Sequence, residues 1–471
     1  MTPWEILSDQ DIKAIHTATL RVLAEVGIVL DHPKIRAQLA DSGATLNGAR
    51  VQLPPDLVEQ SIPSSTKKVM TRGRGGNTIT LGDGSLHWHN LGGARDVYDP
   101  VSGKLRRATL QDVRDATRLL DALDQATTIT PFFTPIDVPG AMMSLSMYRH
   151  ALPHTTKPLQ GPGVQTAKEV LYAVDMAGVI GPAADVLTMS VSPLSPLTFP
   201  GDLAEAMLQI AECGIPFGPL PCPTAGTTAP MSLAGALTQQ NAEVLASIVI
   251  AQLNQPGLPI IYCGRLAMME PRTGGSVWGG VELGIASAAT VQIGHRYGLP
   301  VNVYGLSTNA HTLDIQNGYE RALNAILPAL AGADELSGIG EMAAGVASSY
   351  AQMVVDNDIA ASVRRVLRGF DVNGDSLAVD VILDAMQGEH NFLTQRHTVD
   401  YLKGGELLLH TLGVRNSFEE WEKSGRVGLA EHAQAEADRI LAEHVVPPLD
   451  EAQERELDAI FQAAADDLIK N

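Results

Sequence analysis

From about residue 126 onward the chain has a rhythm, and that rhythm constrains its fold more than any single motif. Short apolar runs alternate with segments of helical length and period. The strand candidates are Thr128–Phe133, Lys157–Gly161, Val186–Val191, Ile215–Leu220, Pro259–Cys263, Val301–Tyr304 and Glu335–Ile339. Helical patterns fall between them, near 140–150, 165–179, 201–213, 232–254, 281–297 and 316–331. The runs are continuously apolar, as expected for strands of a parallel sheet covered on both faces. Repeated β–α units of this kind make a doubly wound sheet or a (β/α)₈ barrel. No GxGxxG follows the first strand, so the usual dinucleotide fingerprint is missing. The many regular repeats favour an α/β fold of the (β/α)₈ TIM type. Seven strands are clear. Ala378–Leu383 is one option for the eighth, although it fits a helix equally well.

The flanks differ in character. Residues 8–27, SDQDIKAIHTATLRVLAEVG, predict an amphipathic helix with Ser8 as cap, Asp11 at the acidic position and Gly27 as stop. A second helix is expected over 33–43. Residues 66–100 are punctuated by glycine and predict β-hairpins. The last stretch is helical and ends in PPLDEAQERELDAIFQAAADDLI. Three regions follow: N-terminal helices and β-hairpins packed on the barrel (1–125), the main part of the barrel (126–370) and a C-terminal helical extension (371–471).

With 33 basic against 53 acidic residues the chain carries a formal charge of −20. Phosphate backbones and anionic membrane surfaces both call for clustered Lys and Arg, so neither nucleic acid nor membrane is an expected partner. No stretch of about 18 uncharged apolar residues stands out as a membrane span. The N-terminal residues show no basic and apolar leader pattern. Three cysteines, Cys213, Cys222 and Cys263, make a sparse odd set that suits a reducing compartment. A cytoplasmic protein is expected.

In a barrel of this type the active site lies at the C-terminal ends of the strands. The segments that follow the strand candidates carry hydroxyls, aromatics, methionines and carboxylates, with few Lys or Arg. That composition suits a cation better than a polyanion. Quaternary ammonium groups are held by aromatic faces and nearby carboxylates. Trp88, Tyr98, Phe132, Phe133, Trp278, Tyr304 and Tyr350 are the candidate aromatics. His311 stands out in GLSTNAHTLD, after the sixth run, and either contacts a ligand or orders its own loop. His87 and His89 point to one side of a strand and fit an exposed polar face. Cys222 and Cys263 have no H-x-C or C-x-x-C spacing and fit buried thiols, so no metal site is expected.

Five stretches carry a resemblance: LSDQDIKAIHTATLRVLAEVGI, ATLQDVRDATRLLDAL, PTAGTTAPMSLAGALTQQNAEVLASIV, VYGLSTNAHTLDIQNGYERALNAILPALAGADELSGIG and SYAQMVVDNDIAASVRR. Through them the chain resembles the trimethylamine methyltransferase family across nearly its whole length. The resemblance implies a (β/α)₈ barrel and methyl transfer from a methylated amine to the cobalt of cobalamin, carried by a separate corrinoid-binding protein. The family's trimethylamine enzymes have a pyrrolysine near the seventh strand. Here the matching region, Asp334–Gly340, is DELSGIG, so the chain is similar to the nonpyrrolysine branch, whose characterised substrate is glycine betaine.

The chemistry agrees with that departure. Glycine betaine is already quaternary, so it leaves as neutral dimethylglycine, whereas trimethylamine needs prior activation. The protein then supplies positioning and a dry cage, while the cofactor supplies the nucleophile. Position at the strand ends then makes Trp88, Phe132, Phe133, Trp278 and Tyr304 the expected trimethylammonium cage, with Glu335 and Glu341 balancing the cation. His311 would bind the substrate carboxylate or face the corrinoid. No side-chain nucleophile is expected, and a homo-oligomer is. Carnitine, proline betaine or choline are alternative substrates. A betaine-binding protein without catalysis is an alternative of another class.

Overall fold

A computed structural model describes residues 3–469; residues 1–2 and 470–471, the outermost parts of the two flanking regions, lie outside the described residues. The apolar runs form short parallel strands. Met189–Val191 pairs with Phe217–Pro219, Phe217 bridges Ile260, Tyr262–Gly264 pairs with Val301–Tyr304, and the latter pairs with Glu335–Ile339. On the other side Ile129 bridges Leu159, and the Gly161 N–H donates to Thr188 O at 2.7 Å. The helices between them are Met143–Ala151, Ala167–Gly178, Gly201–Glu212, Leu233–Asn254, Val281–Arg296 and Ile315–Leu330. All fall where the sequence period places them.

A further parallel strand is His87–Asn90, expected from the sequence to belong to a β-hairpin. It pairs in parallel with Glu335–Ile339, and His89 bridges Thr128 on its other side. Its sequence, HWHN, has no apolar run to reveal it. True hairpin pairing flanks it: Val69–Arg72 with Thr78–Leu81 and Asp96–Tyr98 with Leu105–Arg107. The alternative strand, Ala378–Leu383, lies within the helix Val379–Gln387, preceded by Ala378. There Val379, Ile382, Leu383 and Met386 repeat at helical spacing.

Strand register sorts the side chains into two layers. Cys263, Asn302, Glu335 and His87 stand abreast in one row. The next row is Gly264, Val303, Leu336 and Trp88. Successive strand residues face opposite ways, so the first row looks inward and the second packs under the helices. Val303, Leu336 and Trp88 belong to the main hydrophobic core and are fully buried.

The N-terminal helix Asp9–Glu25 has the expected capping box between Ser8 and Asp11. It packs Ile12, Ile15 and Leu23 inward and lies against Leu233–Asn254. Gly27, at φ +69°, ends it; a Cβ there would come within 2.3 Å of Val51 O. At the other end, Leu429–Glu443 packs on Tyr350–Arg368. The last helix, Glu451–Ile469, lies along Ala167–Gly178, and Arg149 donates to Glu454 and Asp458 at 2.6 and 2.7 Å. Among the described residues no helix is long and apolar enough to cross a membrane.

Candidate active site

The inward row ends in a cavity of about 540 Å³, within the range of small-molecule sites. Its floor is a polar network that joins residues of several neighbouring strands. Asn302 lies at its centre, a carboxamide inside an otherwise apolar run. Its Oδ1 accepts a short hydrogen bond from Arg265 Nη2. Its Nδ2 donates to Glu335 Oε2 and to His89 Nε2 at 2.9 Å. The second glutamate oxygen is reached by Gln160 Nε2 at 3.3 Å. Thr130 Oγ1 donates to Gln160 Oε1 at 2.9 Å.

These partners fix the state of His89. Its Nδ1–H donates to Asn90 O at 2.8 Å, which leaves Nε2 as the acceptor for Asn302. Burial holds the imidazole pKa below its ordinary value, in keeping with a neutral ring. His89 is only 7% exposed. The exposed polar face expected for His87 and His89 is therefore an interior one at His89, which lines the cavity, while His87 is half-buried and lies outside that lining.

Arg265 is 5% exposed and lines the cavity. Its Nη1 donates to Gly264 O and Asn302 O at 3.0 and 2.9 Å. Tyr304, another lining residue, lies face-on to it, with the guanidinium carbon 4.7 Å from the ring centre. Trp278 packs edge-on behind Tyr304 at 5.3 Å between centroids. Met143, Met147 and Glu169 complete the wall near the helices. Cys222 and Cys263 also line the space. Cys222 is exposed, unlike the buried thiol the sequence suggested, whereas Cys263 is buried; the surrounding protein raises the first thiol to about 11 and the second to about 12. Both stay protonated at neutral pH and are poor nucleophiles.

Of the aromatics predicted to form a cage, Tyr304 alone lines this cavity, with Trp278 supporting it. Trp88 belongs to the outward row. Phe132 and Phe133 pack on each other at 4.7 Å between centroids and are fully buried in the hydrophobic core. Glu335 lies under the floor formed by Gln160 and Asn302. Glu341 is farther back, accepting from Ser307 Oγ at 2.6 Å, with burial raising its carboxyl pKa to about 7. His311 is exposed in the loop after Val301–Tyr304. The hydroxyls beside it are mostly structural: Thr308 Oγ1 donates to Glu320 at 2.6 Å, and Asp314 caps Ile315–Leu330. Sequence reasoning did not assign Arg265, Asn302, Gln160 and Thr130 to the site, and it placed His89 on an exposed face. A polar residue in step within a buried strand was the signal for Asn302 and His89.

The family model described as Trimethylamine methyltransferase (MTTB) matches residues 1–466. Trimethylamine methyltransferase MttB of Methanosarcina barkeri is 30% identical over 478 residues, covering 98% of this chain and 95% of that protein. The Glycine betaine methyltransferase of Desulfitobacterium hafniense (strain Y51) is 29% identical over 471 residues, covering 98% and 96%. Among solved structures, the Methanosarcina barkeri Monomethylamine Methyltransferase (MtmB) superimposes with a TM-score of 0.55 at 14% identity, over 94% of this chain and 89% of that one. At that identity the superposition speaks to the fold alone.

Proposed function

The chain belongs to the trimethylamine methyltransferase family, and from that premise we propose that it moves a methyl group from glycine betaine to a corrinoid carried by a separate protein, leaving dimethylglycine. The observation that carries this reading is the cavity at the strand ends. It is small-molecule sized, it has Tyr304 and Glu169 in its wall, the latter also capping Ala167–Gly178 through Oε2, and Glu335 lies just beneath its floor. Aromatic faces and carboxylates hold a quaternary ammonium, which has no N–H to donate. The cage so read is smaller and more polar than the sequence suggested.

The parallel pairings on both sides of His87–Asn90 support a (β/α)₈ barrel, which would set this cavity at its catalytic end. The rest of the reading follows from what the lining can do. Its two thiols are held protonated and are poor nucleophiles, which suits a reaction whose nucleophile comes from the cofactor. When bound, the corrinoid supplies the cobalt nucleophile that takes the methyl group. The cavity itself is scaled to the amine, and the exposed loop with His311 and Thr312 fits a cofactor presented from outside on its carrier. The chain's own work is to orient the methyl group toward that opening and to keep water out. The leaving amine is neutral and needs no general acid.

We also read the protein as a homo-oligomer. Val379, Ile382, Leu383 and Met386 form an apolar stripe that is about half exposed. Phe370 and Leu393 nearby are more exposed still. Contiguous apolar surface of this kind marks an interface.

The test is methyl transfer. Glycine betaine and cob(I)alamin, free or on a corrinoid protein, are mixed with the enzyme, and dimethylglycine is measured by mass spectrometry. Its formation is expected. Tight glycine betaine binding without any product would assign the protein to ligand binding instead.

A further inference from the structure

Arg265 is a buried cation without an anion. Among the described residues no carboxylate lies within ion-pair distance of it, although the buried arginines Arg149 and Arg321 are both matched, the first by Glu454 and Asp458 and the second by Asp356 at 2.8 Å. A buried charge is costly unless it is paired. Guanidinium carries five N–H donors in a fixed fork. Two on Nη1 go to Gly264 O and Asn302 O, and one on Nη2 goes to Asn302 Oδ1. The two that remain, on Nε and Nη2, form the side-on fork that grips a carboxylate through two parallel hydrogen bonds. The packing against Tyr304 and the bonds to Asn302 hold that fork in one orientation.

The floor also carries the opposite charge at a short remove. Asn302 accepts from Arg265 on one side of its carboxamide and donates to Glu335 on the other. A guanidinium and a carboxylate thus stand one amide apart beneath the same cavity. We infer that Arg265 is the specificity residue of this site: its free fork takes the carboxylate of the substrate, and the Arg265–Asn302–Glu335 row reads the substrate as a short zwitterion, with Glu335 under its ammonium end. This rests on the quaternary-amine reading above and deepens it. It sets betaines apart from choline, which has the same trimethylammonium head and no carboxylate. It also moves the carboxylate contact from His311, which is exposed on a loop, to a residue in the floor.

Three probes separate the parts. Glycine betaine has both charges, choline only the cation, and 3,3-dimethylbutyrate has the betaine shape with carbon in place of nitrogen, so only the anion. Isothermal titration of each is made with the wild-type protein, Arg265→Met and Arg265→Lys. Wild type is expected to prefer glycine betaine over choline. Arg265→Met should lose roughly a hundredfold in glycine betaine affinity, the scale of a truncated buried charge pair, while choline binding holds or improves. Arg265→Lys, which keeps the charge and loses the fork, should fall between. Misfolding would lower all three ligands together, so the betaine-to-choline ratio is the readout.

Equal losses for betaine and choline, or no loss, would overturn the role of Arg265 and leave the quaternary-amine reading standing. If wild type binds neither quaternary amine but holds 3,3-dimethylbutyrate through Arg265, the anchor stands and the quaternary-amine reading falls. Binding of none of the three overturns both.

Discussion

The guanidinium carbon of Arg265 lies 4.7 Å from the centre of the Tyr304 ring, so the aromatic that faces the cavity is also the platform for its cation. Replacing Tyr304 should therefore disturb the site through the ring rather than through the hydroxyl. Tyr304→Phe should bind glycine betaine like wild type. Tyr304→Leu should lose about tenfold, from a cation–π contribution on the order of 1 to 2 kcal/mol. Calorimetric titration of the two variants checks this; equal loss in both would assign the effect to the hydroxyl.

Glu341 gives a pH signature. Burial raises its carboxyl pKa to about 7, against about 4.3 for a free glutamate. A carboxyl group whose folded pKa is raised favours the folded state at low pH. Its contribution is full below about pH 4 and is lost as pH rises toward 7, where the buried group ionises. Melting temperatures of wild type minus those of Glu341→Gln, measured from pH 5 to 8, should fall with rising pH and level off above 7. A flat difference would mean that the group is not buried as a neutral acid.

Arg321 and Asp356 are both fully buried, and Asp356 Oδ2 also accepts the Gly340 N–H at 2.7 Å. Asp356→Asn leaves a buried guanidinium unpaired. It should cost about 3–5 kcal/mol, read as a shift of the urea midpoint. The double variant Arg321→Met with Asp356→Leu should cost less than the two single changes added together, because no charge is stranded.

The stripe on Val379–Gln387 is testable by its charge tolerance. Ile382→Asp with Met386→Lys should convert an oligomer to smaller species in light scattering coupled to size exclusion, with glycine betaine binding retained. An unchanged mass would place the interface elsewhere.

How much of this was legible in the sequence depends on which property carried the signal. The apolar runs at 217–219, 260–264, 301–304 and 335–339 announce themselves because both faces of such strands are covered, and the helices between them follow at the expected spacing. His87–Asn90 does not, since its inward residues are polar for the sake of the cavity. The site suffered from the same cause in reverse. Trp88, Phe132 and Phe133 drew attention as aromatics at strand ends, but strand parity turns Trp88 toward the helices and packing encloses the phenylalanine pair. Parity within VNVY would have singled out Asn302 before any aromatic. Arg265 carried no pattern at all; its meaning lies in the anion it lacks, which only three dimensions reveal.

The pairing of His87–Asn90 with Glu335–Ile339 also bears on how the molecule is made. The ribosome delivers the first of these strands early and the second only after most of the chain has followed. Until then the early strand has an open edge, and open edges recruit the wrong partners. Loop closure over so long a separation comes late in folding. The side chains of HWHN other than Trp88 are polar, so this waiting edge offers little apolar surface for a wrong partner to bury.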